Sequence, residues 1–128
     1  MKQNLTKLLE DLGCHDKELS ILFTDDHKIA QLNDRYMGRN GPTNVLAFPM
    51  TDGMETDFVS VMMGDIVISG DAAARESREL GETLEITVHR LLIHGILHLL
   101  GFDHTQSEAE AVRMEKEEKR LMKLILEE

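Results

Sequence analysis

An α+β fold, a small mixed β-sheet packed with about five helices, is what this sequence predicts. Three observations lead there. Short apolar stretches with two-residue alternation occupy the first half, helical periodicity runs from Ser69 onward, and glycines or prolines stand at the junctions between them. The chain has 128 residues and 41% hydrophobic content, enough for one core and a single domain over residues 1–128.

The elements follow in order. Leu5, Leu8, Leu9 and Leu12 form one stripe over Asn4–Leu12, a short amphipathic helix ended by Gly13. Glu18–Thr24 sets Leu19, Ile21 and Phe23 against mostly polar alternates, as in a half-buried strand. Asp25 or Asp26 caps a helix through Ile29, Leu32 and Tyr36, and the stretch from Gly38 to Pro42 is a loop. Asn44–Phe48 is a second strand, which Pro49 ends or places at a sheet edge. Thr51–Asp57 reads as a polar loop and Phe58–Ile68 as a longer strand bent at Gly64. Helices follow over Asp71–Leu80 and Thr83–Leu100, separated by Gly81. The second is apolar on most sides, as expected of a central helix packed under the sheet. Thr105-Gln106-Ser107-Glu108 has the form of a capping box and opens a last helix to about Leu126.

Composition narrows the function classes. The single Cys14 excludes an internal disulfide and a cysteine metal cage, so a reducing compartment, by default the cytoplasm, is expected. No apolar run approaches the roughly 18 residues of a membrane span, so no membrane role is expected. The formal net charge of −10 argues against a nucleic-acid partner, because phosphate contacts demand Lys and Arg. Much of the acid lies near the N-terminus or in the segment from Glu108 to Glu128, where a solvated face explains it. Lys28, Arg35, Arg39, Arg75, Arg78 and Arg90 remain as a set that could line one groove and outweigh the global sign locally.

The chemistry concentrates in His94-Gly95-Ile96-Leu97-His98-Leu99-Leu100-Gly101-Phe102-Asp103-His104. On a helix, His94 and His98 project from one face a turn apart. Gly101 tolerates the positive φ of a helix end, letting the chain reverse and return His104 to the same point. Three imidazoles with an open fourth position suit a catalytic zinc, one ion per chain, whose water ionises near neutral pH. Nickel, iron or copper suit the same donors. The metal site is thus expected at the end of the central helix. His89 lies about 140° around the helix from His94 and is not expected to join them. His15 and His27 read as surface residues, and the eight methionines as core filler.

The H-x3-H-x5-H spacing equals that of metzincin proteases, but Gly95 stands where those enzymes carry their glutamate base. The run HGILHLLGFDH resembles the H-G-x-L-H-L-x-G-x-D-H signature of the YbeY family, bacterial metal-dependent endoribonucleases of ribosomal RNA maturation. Leu32-Asn33, Tyr36, Gly38, Pro42-Thr43-Asn44-Val45-Leu46 and Phe48-Pro49 resemble a second family block, and Gly64-Asp65-Ile66-Val67-Ile68 a third. The resemblance implies a zinc-dependent, single-strand-specific endoribonuclease of small-subunit ribosomal RNA. It also implies contact with ribosomal RNA, small-subunit ribosomal proteins and a ribosome-associated GTPase. Met37 stands where the family has an arginine thought to help catalysis, and Ala47 where it has a serine. The chain begins at what looks like the family's first helix, without its usual leading strand.

His94, His98 and His104 are therefore the expected metal ligands. Asp103 is the candidate to hold a ligand imidazole or take a proton from the metal's water, or else a turn residue after Gly101. Asp65 either faces the site or satisfies loop backbone. Arg39 and Arg35 are candidate phosphate contacts, able to replace the absent arginine, or solvated cations. Arg39 is in addition a candidate catalytic cation. Asn44, at the head of the second strand, is a candidate substrate contact if that strand is an edge beside the metal. Two other functions fit these observations: a ribosome-assembly factor whose metal holds the fold, and a metalloprotease.

Overall fold

Two apolar clusters, one on each face of a three-stranded sheet, organise the computed structural model, which describes residues 2–14, 16–49, 62–103, 105 and 107–126. Its elements are α1 (Lys2–Asp11), β1 (Glu18–Thr24), α2 (Asp26–Met37), β2 (Val45–Pro49), β3 (Met62–Ser69), α3 (Gly70–Leu80), α4 (Leu84–Leu99) and α5 (Glu108–Leu126). This is the α+β fold with a small mixed sheet and five helices that the patterning predicts. The expected loop at Thr51–Asp57 and the first four residues of the strand expected over Phe58–Ile68 lie outside the described residues, as does His15.

The sheet order is β1-β3-β2, with β3 parallel to β1 and antiparallel to β2. Alternation along β3 divides the two clusters. Ile66 and Ile68 enter the larger one with Leu92, Ile93, Ile96 and Leu97 of α4, while Val67 points the other way, to Leu46 and to Ile29 of α2. The larger cluster also takes Leu8 of α1 and Met114, Leu121 and Ile125 of α5. The central helix is thus walled by sheet on one side and by helices on the others, which explains its lack of a polar face.

Capping residues set the helix starts. Asp25 accepts the Lys28 N–H, Ser69 the Ala72 N–H, and Thr83 the Ile86 N–H. The last helix begins later than the capping box suggested. Ser107 Oγ accepts the Glu110 N–H at 3.1 Å, whereas the Thr105 hydroxyl donates instead to Asp103. Gln106 of that box lies outside the described residues.

Two glycines permit close approach. The pairing of β1 with β3 skips Met63, a bulge directly before Gly64. A Cβ on Gly64 would lie 2.3 Å from the Phe48 carbonyl oxygen of β2, and its φ of 145° is open only to glycine. Gly95, on α4, lies against Ile66 of β3, where a Cβ would come within 3.0 Å of Ile66 Cδ1.

Candidate metal centre

His94 and His98 sit in the last two turns of α4. Their Nε2 atoms converge to 3.1 Å and their rings meet edge to face, with centroids 4.6 Å apart. Two nitrogens each about 2.0–2.1 Å from one tetrahedral ion would stand about 3.3–3.4 Å apart. The pair is therefore spaced within a few tenths of an ångström of two ligands of one ion, and neutral imidazole is a donor that zinc accepts. His104, the expected third ligand, lies outside the described residues, and among those described no group of three donors stands together.

The end of α4 is built to turn the chain. The Gly101 N–H donates to the His98 carbonyl at 3.0 Å and the Phe102 N–H to that of Leu97 at 3.0 Å, with Gly101 at a φ of 98°. This double closure is a Schellman motif, and glycine is the residue it favours. The Arg113 guanidinium lies 4.3 Å from the Phe102 ring centroid, tying the following loop to α5. Asp103 Oδ1 then accepts both the N–H and the hydroxyl of Thr105, at 2.9 and 2.6 Å. The turn role anticipated for Asp103 is thus present, on a residue that also lines the cleft in front of the histidines.

That cleft encloses about 600 Å³. His94, Gly95 and His98 form its α4 wall, the β2 segment with Val45, Leu46, Ala47 and Pro49 forms the opposite wall, and Gly101, Phe102, Asp103 and Thr105 close one end. Met37, Arg39, Thr43 and Asn44 supply the rest. Among the described strands β2 is an edge, as the substrate role considered for it requires. Arg39 reaches the cleft on a loop held from behind by Asn33. The buried Asn33 side-chain amide donates to the Gly41 carbonyl at 3.0 Å, and the Asn33 backbone carbonyl accepts the Arg39 N–H. Asn44 also lines the cleft, and its amide donates to Glu76 of α3 at 2.8 Å. Arg35 does not line the cleft; its guanidinium lies 5.4 Å from the Tyr36 ring centroid. Met37 lines the cleft and is no core filler.

Other residues weighed for the site lie outside the cleft lining, as expected for His89 and as a correction for Arg75 and Arg90. Asp65 alternates with Ile66 and so shares the α2 face of the sheet with Val67, away from the histidines. Arg75 and Arg90 do not line the cleft with Arg39. Arg75 forms a bidentate pair with Asp26, and Arg90 one with Glu82, which also accepts from the Thr87 hydroxyl. The hydrogen bonds from these arginines hold the Asp26 and Glu82 carboxyls below the usual carboxylate range. His89 is buried outside the cleft. Its Nδ1–H donates to the Glu85 carbonyl at 2.7 Å, and its Nε2 accepts from the Asn4 amide at 3.2 Å.

Glu118 is the residue that sequence reasoning missed, because it was counted with the solvated acid of the last helix. Its Oε2 accepts the His94 Nδ1–H at 3.0 Å, with the carboxylate side chain 26% exposed. A signal was available. Met114, Leu121 and Ile125 form the buried stripe of α5, and Glu118 occupies the second place along that stripe, four residues after Met114 and three before Leu121.

Fold and site together define an α+β protein whose central helix delivers paired imidazoles to a cleft beside an edge strand. The sequence pattern of the family described as Endoribonuclease YbeY matches residues 1–125, and the chain belongs to that family. Similar proteins bearing that name include one from Syntrophotalea carbinolica, 44% identical over 95% of this chain and 82% of the relative. Another, from Syntrophus aciditrophicus, is 38% identical over 98% of this chain and 79% of its own. The solution structure of TM1509 from Thermotoga maritima is similar with a TM-score of 0.66 and 27% identity, covering 97% of this chain and 77% of that one. Among the described residues no helix is long and apolar enough to cross a membrane.

Proposed function

We propose that this chain is a zinc-dependent, single-strand-specific endoribonuclease acting on small-subunit ribosomal RNA during ribosome biogenesis. The observation that carries this reading is the convergence of the His94 and His98 Nε2 atoms in a cleft that Arg39 also lines. Relatives named as endoribonucleases support phosphodiester cleavage as the reaction. A zinc ion held by His94, His98 and His104, or another divalent transition metal there, would supply Lewis acidity at the phosphoryl oxygen and a nucleophile at neutral pH.

The chain's own residues do the rest. Arg39 attracts and orients the phosphate and stabilises charge developing on its oxygens. Asn44, at the head of β2, contacts the strand laid along that edge. Asp103, its carboxylate anchored by Thr105, stands in the cleft to accept a proton or hold a ligand ring. The acidity of the whole chain is answered locally, because Asp103 is the one carboxylate among the described residues lining this cleft. Gly95 removes the protease reading's base, since Ile66 occupies the space its side chain would need. The small-subunit proteins and the ribosome-associated GTPase that the family resemblance implies complete the proposal.

One observation favours a second reading. Met37 lines the cleft where the family resemblance implies an arginine, as suits a metal-stabilised assembly factor that binds RNA without cutting it. The deciding experiment is single-turnover cleavage of a fragment carrying the precursor 3′ end of small-subunit ribosomal RNA, by wild type and by a folded His98→Ala variant. Cleavage by wild type alone, stopped by a chelator, is expected. No cleavage by either, with zinc bound to wild type and RNA retained, would replace the nuclease by the assembly factor.

A further inference from the structure

We propose that Glu118 is the positioning residue of this centre, fixing the His94 ring in the tautomer and orientation that present Nε2 to the ion. This rests on the reading of His94 and His98 as metal ligands.

The geometry is specific. A carboxylate oxygen can only accept, so the 3.0 Å contact from Glu118 Oε2 to His94 Nδ1 places the hydrogen on Nδ1. The lone pair is left on Nε2, the atom that faces His98 Nε2 at 3.1 Å. A carboxylate behind a ligand imidazole also raises the basicity of the coordinating nitrogen. Glu118 comes from α5, whereas both histidines come from α4, so the contact locks the ring against rotation from a different element. The carboxylate also sits on the stripe of α5 that carries Met114, Leu121 and Ile125 inward, where an apolar side chain would serve packing alone. The nearest strong cation along α4, Arg90, is engaged by both oxygens of Glu82.

Two measurements test this. The first is the imidazole nitrogen spectrum of wild type at about pH 8, where an Nδ1–H tautomer at His94 is expected; an Nε2–H tautomer overturns the proposal whether or not any variant folds. The second is zinc affinity by competition with a chromophoric chelator, with cobalt(II) absorption as the geometric readout. Removing such an outer partner weakens binding by about 10–100-fold. Glu118→Ala is expected to lose that much and to shift the cobalt bands. Glu118→Gln, whose carbonyl still accepts from Nδ1–H, is expected to recover most of it. Glu115→Ala on the exposed face of the same helix is expected to match wild type. Glu118→Ala binding zinc as tightly as wild type overturns the positioning role. Wild type that binds no zinc overturns the metal reading itself, so the two failures are distinct.

Discussion

Ile66 of β3 occupies the space that a side chain at Gly95 of α4 would need. A Cβ there would stand 3.0, 3.1 and 3.2 Å from Ile66 Cδ1, Cγ2 and Cγ1. Three atoms of one fully buried, β-branched side chain are involved, so no single rotamer change relieves the contact. Alanine in place of glycine gains about 1 kcal/mol of helix propensity, while overpacking costs about 1–3 kcal/mol. Gly95→Ala is therefore expected to lower stability by about 1 kcal/mol in urea unfolding. Adding Ile66→Val, which removes the nearest methyl, should recover part of that loss. Additive effects of the two substitutions would show that the contact does not couple them.

Arg39 and Arg35 separate the cleft from its surroundings. Arg39→Ala is expected to weaken RNA binding across sequences and to reduce the slope of log affinity against log salt by about 1, as for one lost phosphate contact. Arg35→Ala, which removes a cation outside the cleft lining, should leave that slope nearly unchanged. Binding isotherms at several salt concentrations decide the matter.

Met37, 38% exposed at the end of α2, offers a gain of function. Met37→Arg puts a second cation in the cleft at little structural cost. Charge stabilisation of this kind is worth about tenfold or more in rate, so single-turnover cleavage at saturating RNA should rise by at least that factor while the melting temperature stays within a few degrees. An unchanged rate would mean that the cation at this position plays no part in the chemical step.

Glu82 ties the start of α4 to Arg90 and carries a pH signature. Its carboxyl is held low chiefly by the hydrogen bond from Arg90, so its stabilisation is fully present above the unfolded-state value of about 4.3 and is lost as pH falls through the lower folded value. Glu82→Gln is expected to cost about 1–3 kcal/mol near pH 7, and the gap from wild type should narrow as pH falls below the unfolded-state value and close below the lower folded one. A gap that persists in acid would assign the stabilisation to packing.

Much of this protein was legible in the order of its residues, because the signals concerned are local. The cap at Asp25, the alternation that turns Leu19 and Ile21 inward (but not Phe23, which is 49% exposed) and the glycine after the histidine helix each act within a turn or two of chain. The His94–His98 pair belongs with them, since a four-residue spacing on a helix is enough to align two rings. Where sequence reasoning went astray, the partners were distant. Arg75 and Arg90 read as free cations until Asp26 and Glu82 met them, and the carboxylates involved carried no mark of it.

Taken alone, the sequence determined the α+β class, the helix that carries the paired histidines and the turn that ends it, through periodicity and backbone preference. Only the tertiary structure decided that β2 faces that helix, that Asp65 turns away and that Glu118 backs His94. Strand order and helix docking follow from how whole apolar faces pack together. A side chain 24 residues along the chain from its partner acquires its role only when that packing is complete.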